Sequence, residues 1–221
     1  MLKQIFELFK SDSLYQQALL ECHEMLDIDK EMFNESVKTL RKTDTADIPI
    51  DIYAMDKKIN EFERDVRRKV MTHLVVSGKE DLGSGLILVS VVIDIERIGD
   101  YTKNIYDLAV EHPQRLLAKS YEKELSNIEN ATTDFLNEAI EVFKNQDIDN
   151  ARKLMANYKT DISSTSSDIV NGIVSGKNNE FAPEQAGALC LYARYLKRIA
   201  AHSRNLVSSI VNPFERIGYP E

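Results

Sequence analysis

Two carboxylates four residues apart, Glu96 and Asp100, close an otherwise apolar run, LILVSVVIDIERIGDYTKNI at 86–105. On a helix turning ~100° per residue, Val89, Ile93, Glu96 and Asp100 share one stripe, while Val91, Ile95, Ile98 and Ile105 share another. The first stripe therefore starts apolar and ends in two acids. Acids beside an apolar segment are costly unless something positive meets them. Carboxylates suit hard cations such as Mg²⁺, Mn²⁺ and Ca²⁺, and iron accepts them too. Two ligands from one helix leave a coordination shell incomplete. Asp56, Asn60 and Glu63, at i, i+4 and i+7 in a second periodic segment, are the natural suppliers of the rest, with Asp81 at the junction between the two segments. The competing reading is a surface salt-bridge net with Arg97, Arg67 or Lys103, because acids at i,i+4 are common on solvated helix faces. Spacing leaves both readings open.

The elements that must position these residues are long helices. Apolar positions recur at helical spacing from Ser13 to Lys42, with Asp12 or Ser13 available as cap, and Thr43–Pro49 is a polar loop. A second helix fills Ile52 to Val76. The stretch 77–85 breaks it with three glycines, and Asp81 there can cap the next helix. The acid-bearing helix runs from Leu82 to Glu111 and stops before Pro113. The pattern then returns, with helices over Tyr121–Lys144, Asp149–Val174 and Glu184–Val211. Val76-Ser77-Gly78-Lys79 reappears as 174–177, 98 residues on, and Glu96-Arg97-Ile98 is answered by Lys197-Arg198-Ile199, 101 residues on. Two three-helix units at nearly fixed offset indicate an internal duplication. The expected class is all-α, six long antiparallel helices in two tandem bundles, residues 1–113 and 114–221.

Composition narrows the partners. The net charge of −8 leaves no excess of cations to replace phosphate counterions, which argues against nucleic acid. Cys22 and Cys190 have no paired spacing, so free thiols, a reducing compartment and a cytoplasmic location are expected. The longest uncharged run, 82–93, spans 12 residues, short of the ~20 needed to cross a bilayer. Residues 1–10 form a short amphipath without a cleavage signal, read as a helix packed on its own domain.

The duplication and the motif Glu96-Arg97-Ile98-Gly99-Asp100, embedded in DIERIGDYTKNI with Asn104 following, resemble the PhoU family of phosphate-transport regulators. The acidic second helix DKKINEFERDV (56–66) and the position of Asp81 share the resemblance. It implies the pair of bundles and a metal centre, sometimes multinuclear, at the carboxylates. Fe, Mn, Zn, Mg and Ca all stay open as the metal. It also implies negative control of phosphate uptake and signalling, by docking onto the ATPase subunit of an ABC phosphate transporter or onto a cation-coupled transporter, and onto a sensor histidine kinase. Membrane association would then run through the partner alone, and a homodimer is compatible with the resemblance. The second repeat departs from the motif. Lys197 stands where Glu96 stands, Ala201 where Asp100 stands and Asn179 where Asp81 stands, so a second metal site of the family kind is not expected. His202 lies one residue from the lost acid and does not restore it.

Two other classes remain: a helical adaptor that holds no metal, and a di-metal carboxylate enzyme. Bundles of the enzyme class use paired Glu-x-x-His motifs. None of the four histidines here has a Glu three residues before it, so the reading is non-enzymatic. Nucleotide-binding, zinc-protease and dithiol motifs are also missing from the sequence.

Overall fold

The computed structural model describes residues 13–77, 79–112, 114–156 and 161–219. Helix α1 (Leu14–Lys42) starts at Ser13, whose hydroxyl accepts from the Gln16 amide at 3.1 Å, and ends in Arg41 and Lys42 beside the negative end of the helix dipole. Helix α2 (Ile52–Ser77) and helix α3 (Leu82–Glu111) flank the short turn Lys79–Asp81. Helix α4 (Glu122–Asn145) closes on Gln146, whose backbone adopts the left-handed conformation common at helix C-termini. The next segment is described in two parts, α5 (Ile148–Ala156) and α6 (Asp161–Val174). Helix α7 (Pro183–Val211) opens on a proline in its first turn, where no amide partner is lost. The described residues are all-helical apart from turns, as the periodicity predicts. The N-terminal amphipath lies outside the described residues, and so does the middle of the expected 149–174 helix.

Helices α1, α2 and α3 pack as one bundle, and α4 to α7 as the other. The apolar stripe of α3 supplies the first core: Val91, Ile95, Ile98 and Ile105 have no exposed surface. In the same helix Ile93 is exposed, and Glu96 and Asp100 are half-buried. One face of α3 is core and the neighbouring face is open, which is what positions the acids at a rim.

The two bundles meet along α3 and α7. Asp94 accepts from His202 Nδ1 at 2.7 Å and from Asn205 Nδ2 at 2.8 Å, while Tyr101 meets Arg198 and Tyr195, so the helices run antiparallel. Tyr101 and His202 are equivalent positions, 101 residues apart, and their rings stack at 5.8 Å and 22°. By the same offset the Asp94–His202 contact is equivalent to the Tyr101–Tyr195 contact. The duplication is therefore folded back on itself about a local pseudo-twofold axis. A second seam joins α1 to α4. Arg41, its side chain largely buried, donates to Glu129 at 3.1 Å and also to Glu122 and the Leu116 carbonyl, and Tyr192 donates to Glu129 at 2.7 Å. Near the C-terminus, the ERIG of 215–218 is tail packing: the Gly218 amide donates to Ser208 Oγ at 2.8 Å, from a left-handed turn that suits glycine.

Candidate metal centre

The acids are held where α2 and α3 lie side by side over α1. Asp56 and Asp100 face one another across Lys103, whose ammonium is 2.9 Å from Asp56 and 3.6 Å from Asp100. Burial alone would lower the Lys103 pKa, but the bonds and charges of Asp56 and Asp100 outweigh it and raise it. Asn60 donates to the Asp56 carbonyl at 3.0 Å and to its carboxylate at 3.4 Å. Glu63 pairs with Arg67 at 2.7 Å, and Asp100 pairs with Arg97 at 2.9 Å. Glu96 is less well matched. Its nearest cation is Arg97 at 3.5 Å, and burial, then Asp100, then Glu63 push its pKa up to about 7 despite Arg97.

Beneath these rim residues lies a carboxylate that sequence reading misses. Asp29 of α1 is fully buried, and neither of its oxygens has a hydrogen-bond partner among the described residues. Its pKa is driven well above the ordinary carboxylate range by burial first, then by Glu96, Asp56 and Asp100. Gly99, inside the ERIGD motif, makes room for it: a Cβ there would come within 2.8 Å of Asp29 Oδ1 and 2.9 Å of Ile59 Cδ1. A signal for Asp29 exists in the sequence. It interrupts the apolar stripe Cys22, Met25, Leu26, Met32, Phe33, at a position facing the core.

Five of the six sequence candidates, Asp56, Asn60, Glu63, Glu96 and Asp100, thus come together. Asp81 does not join them. It sits at the N-terminal end of α3, whereas Glu96 lies roughly four helical turns further on. There Asp81 pairs with the buried His73 at 3.0 Å. Nor does its side chain cap α3, because the carboxylate is spent on His73. As arranged, the rim acids are splayed onto their own cations, and among the described residues no three His, Cys, Asp or Glu side chains converge as a ready-made metal site. The donor chemistry nonetheless suits a hard cation: Glu96, Asp56 and Asp100 lie near a fully buried carboxyl whose lone pairs no described residue uses.

The family model for the PhoU domain matches residues 22–109. The first repeat is thus similar to a PhoU domain. That match takes in Asp29 and the whole acid cluster. The fold of the full chain is similar to that of PhoU from Pseudomonas aeruginosa, with a TM-score of 0.73 at 18% identity over 91% of this chain and 97% of the other. It is also similar to the phosphate transport system regulatory protein PhoU from Streptococcus pneumoniae, with a TM-score of 0.66 at 16% identity over 89% and 91% of the two chains. No curated protein matches it in sequence. The PhoU fold therefore extends over the second repeat, although the family model does not. The motif's acids are what the second repeat lacks: Lys197 and Ala201 replace Glu96 and Asp100. The burial patterns of α1 and α4 superpose at an offset of 103, which places Thr132 where Asp29 stands, and Ala200 holds the place of Gly99.

Among the described residues no helix is long and apolar enough to cross a membrane. Cys22 is buried and Cys190 half-buried, and both are free thiols.

Proposed function

We propose that this protein is a non-catalytic regulator of phosphate uptake and phosphate signalling, and that it acts from the cytoplasm by binding a phosphate transporter, a sensor kinase or both. The match to the PhoU domain supports this reading, together with the fold shared with a phosphate transport system regulatory protein. The observation that carries the metal part is Asp29. A fully buried carboxyl with no partner among the described residues, beneath four rim acids, costs stability unless a cation meets it. Asp29, Glu96 and Asp100 would hold the ion, with Asp56 and Glu63 at its edge and Asn60 orienting Asp56. The metal would supply fixed positive charge, locking α1, α2 and α3 together, and Arg97 and Lys103 would turn outward to release their acids. A surface set by metal occupancy is one that a partner can read.

The test measures metal in freshly purified protein by mass spectrometry, beside Glu96→Ala plus Asp100→Ala. Stoichiometric metal in the first sample and loss in the second support the centre, with helix content equal in both because alanine favours helix. Equal, negligible metal in both leaves an adaptor without a metal. Partner binding is read separately, by co-purification of phosphate-transport components and by phosphate uptake in a deletion strain. Unchanged uptake with no captured component refutes the regulatory role.

A further inference from the structure

The second repeat keeps the fold of the first and inverts the charge of its rim. At the offset of 101, Ile93, Glu96, Arg97 and Asp100 become Arg194, Lys197, Arg198 and Ala201. Two acids and one cation, a sum of −1, are replaced by three cations and no acid, a sum of +3. All four residues of the second set lie within one ~100° arc of α7, so the cations share a face, and Ala201 brings no acid to it. The buried acid is lost as well, since Thr132 takes the place of Asp29.

Lys197 is the centre of this face. Its half-buried ammonium donates to Ser167 Oγ at 3.1 Å and to the Ser163 carbonyl at 3.4 Å, both on α6. Among the described residues no carboxylate pairs with it, and its third N–H is unspent. Ser167 in turn donates to the Ser163 carbonyl at 2.9 Å, which orients its oxygen toward the lysine. The facing segment is the hydroxyl-rich SSTSS of 163–167, fastened to α7 by the Ser166 bond to the Ala193 carbonyl at 2.7 Å. Arg194, one turn away, is exposed and has no partner among the described residues. Arg198 is exposed too, but is shared with Tyr101 and His202. Among the described residues, a lysine without a carboxylate and a guanidinium without a partner share this face, and they match the needs of a tetrahedral oxyanion, which takes both charge and N–H hydrogen bonds from the cations.

We propose that the second repeat binds a tetrahedral oxyanion, inorganic phosphate or the phosphoryl group of a small metabolite, between Lys197, Arg194 and the Ser163–Ser167 stretch. The site would complement the cation-seeking rim of the first repeat and needs no metal, so it stands or falls independently of the proposed metal centre.

The experiment uses the full chain stripped of metal with a chelator, so that no anion can bind through a cation. Amide resonances are followed by ¹⁵N NMR while inorganic phosphate is added at constant ionic strength, with parallel titrations of sulfate and glycerol phosphate. The expected result is a saturable shift confined to residues 161–170 and 193–202, weakened at least tenfold in Lys197→Gln, which keeps a donor for Ser167, and to a lesser degree in Arg194→Gln. Preference for glycerol phosphate over phosphate and sulfate assigns the site to phosphoryl esters; the reverse order assigns it to the free ion. Shifts that do not saturate, that spread over all basic residues, or that persist unchanged in a folded Lys197→Gln protein overturn the proposal.

Discussion

Replacing Asp29 with leucine should make the metal-free protein more stable while abolishing its capacity to be stabilised by metal. The two side chains have the same branched shape, so the leucine would occupy the space that Gly99 opens without a new clash. What changes is chemistry. Both Asp29 oxygens are buried without partners among the described residues, and leaving such a group unsatisfied costs about 1–3 kcal/mol. Removing that cost, and burying two methyls instead, should raise Tm by roughly 2–4 °C per kcal/mol for a chain of this size, or about 2–12 °C in total. The assay is thermal unfolding in chelator, followed by helix ellipticity, then repeated with added Mn²⁺ or Fe²⁺. In the wild type, metal at about 100 times its Kd should return ~2.7 kcal/mol to the folded state. Asp29→Leu should show no metal response. A chelated variant that melts at or below the wild type would mean that Asp29 is satisfied in solution, and the case for the buried acid as the heart of the site would fall.

Gly99→Ala should destabilise by about 1–3 kcal/mol through overpacking against Asp29 and Ile59. Adding Asp29→Thr, the pairing the second repeat uses, should recover much of the loss, as read from a double-mutant cycle in urea. Glu96 sets a pH dependence, because its folded pKa of about 7 lies above the ordinary 4.5. The folded state then holds more protons than the unfolded chain between those values, so metal-free stability is greatest below the unfolded pKa and declines as pH rises through about 7. Because Glu96 is half-buried and screened, the decline should be about 1–2 kcal/mol across that window. Glu96→Gln should flatten the curve, and an unchanged slope would place the titration elsewhere. Arg41→Leu should cost about 3–5 kcal/mol in chemical unfolding by leaving Glu129 buried without its cation. A loss under about 1 kcal/mol, the range of an exposed pair, would show the seam between α1 and α4 to be dispensable.

Much of this molecule is legible in the letters alone. The helical period sets which face of each helix is apolar, and for α3 it separates the core stripe of Val91, Ile95, Ile98 and Ile105 from the stripe carrying Glu96 and Asp100. The repeat offset, too, is a property of the letters, and it already marks Lys197 and Ala201 as substitutes. These things are local: they depend on residues within a turn or on counting. How three helices lie against one another is a different kind of fact. Sequence order groups Asp81 with Glu96 because both belong to one helix and its cap, yet helix rise separates them by several turns, and His73 claims Asp81 instead. The stripe of α1 marks Asp29 as a core-facing acid, but which acids it meets is set only when a neighbouring helix is placed above it. Only the packing of α1 under α3, at the point where Gly99 lacks a side chain, turns that acid into the floor of a site. The stacking of Tyr101 on His202 belongs to the same class of fact. Their equivalence is written in the spacing, but their contact exists because the two bundles fold onto each other about an axis that no one-dimensional pattern contains.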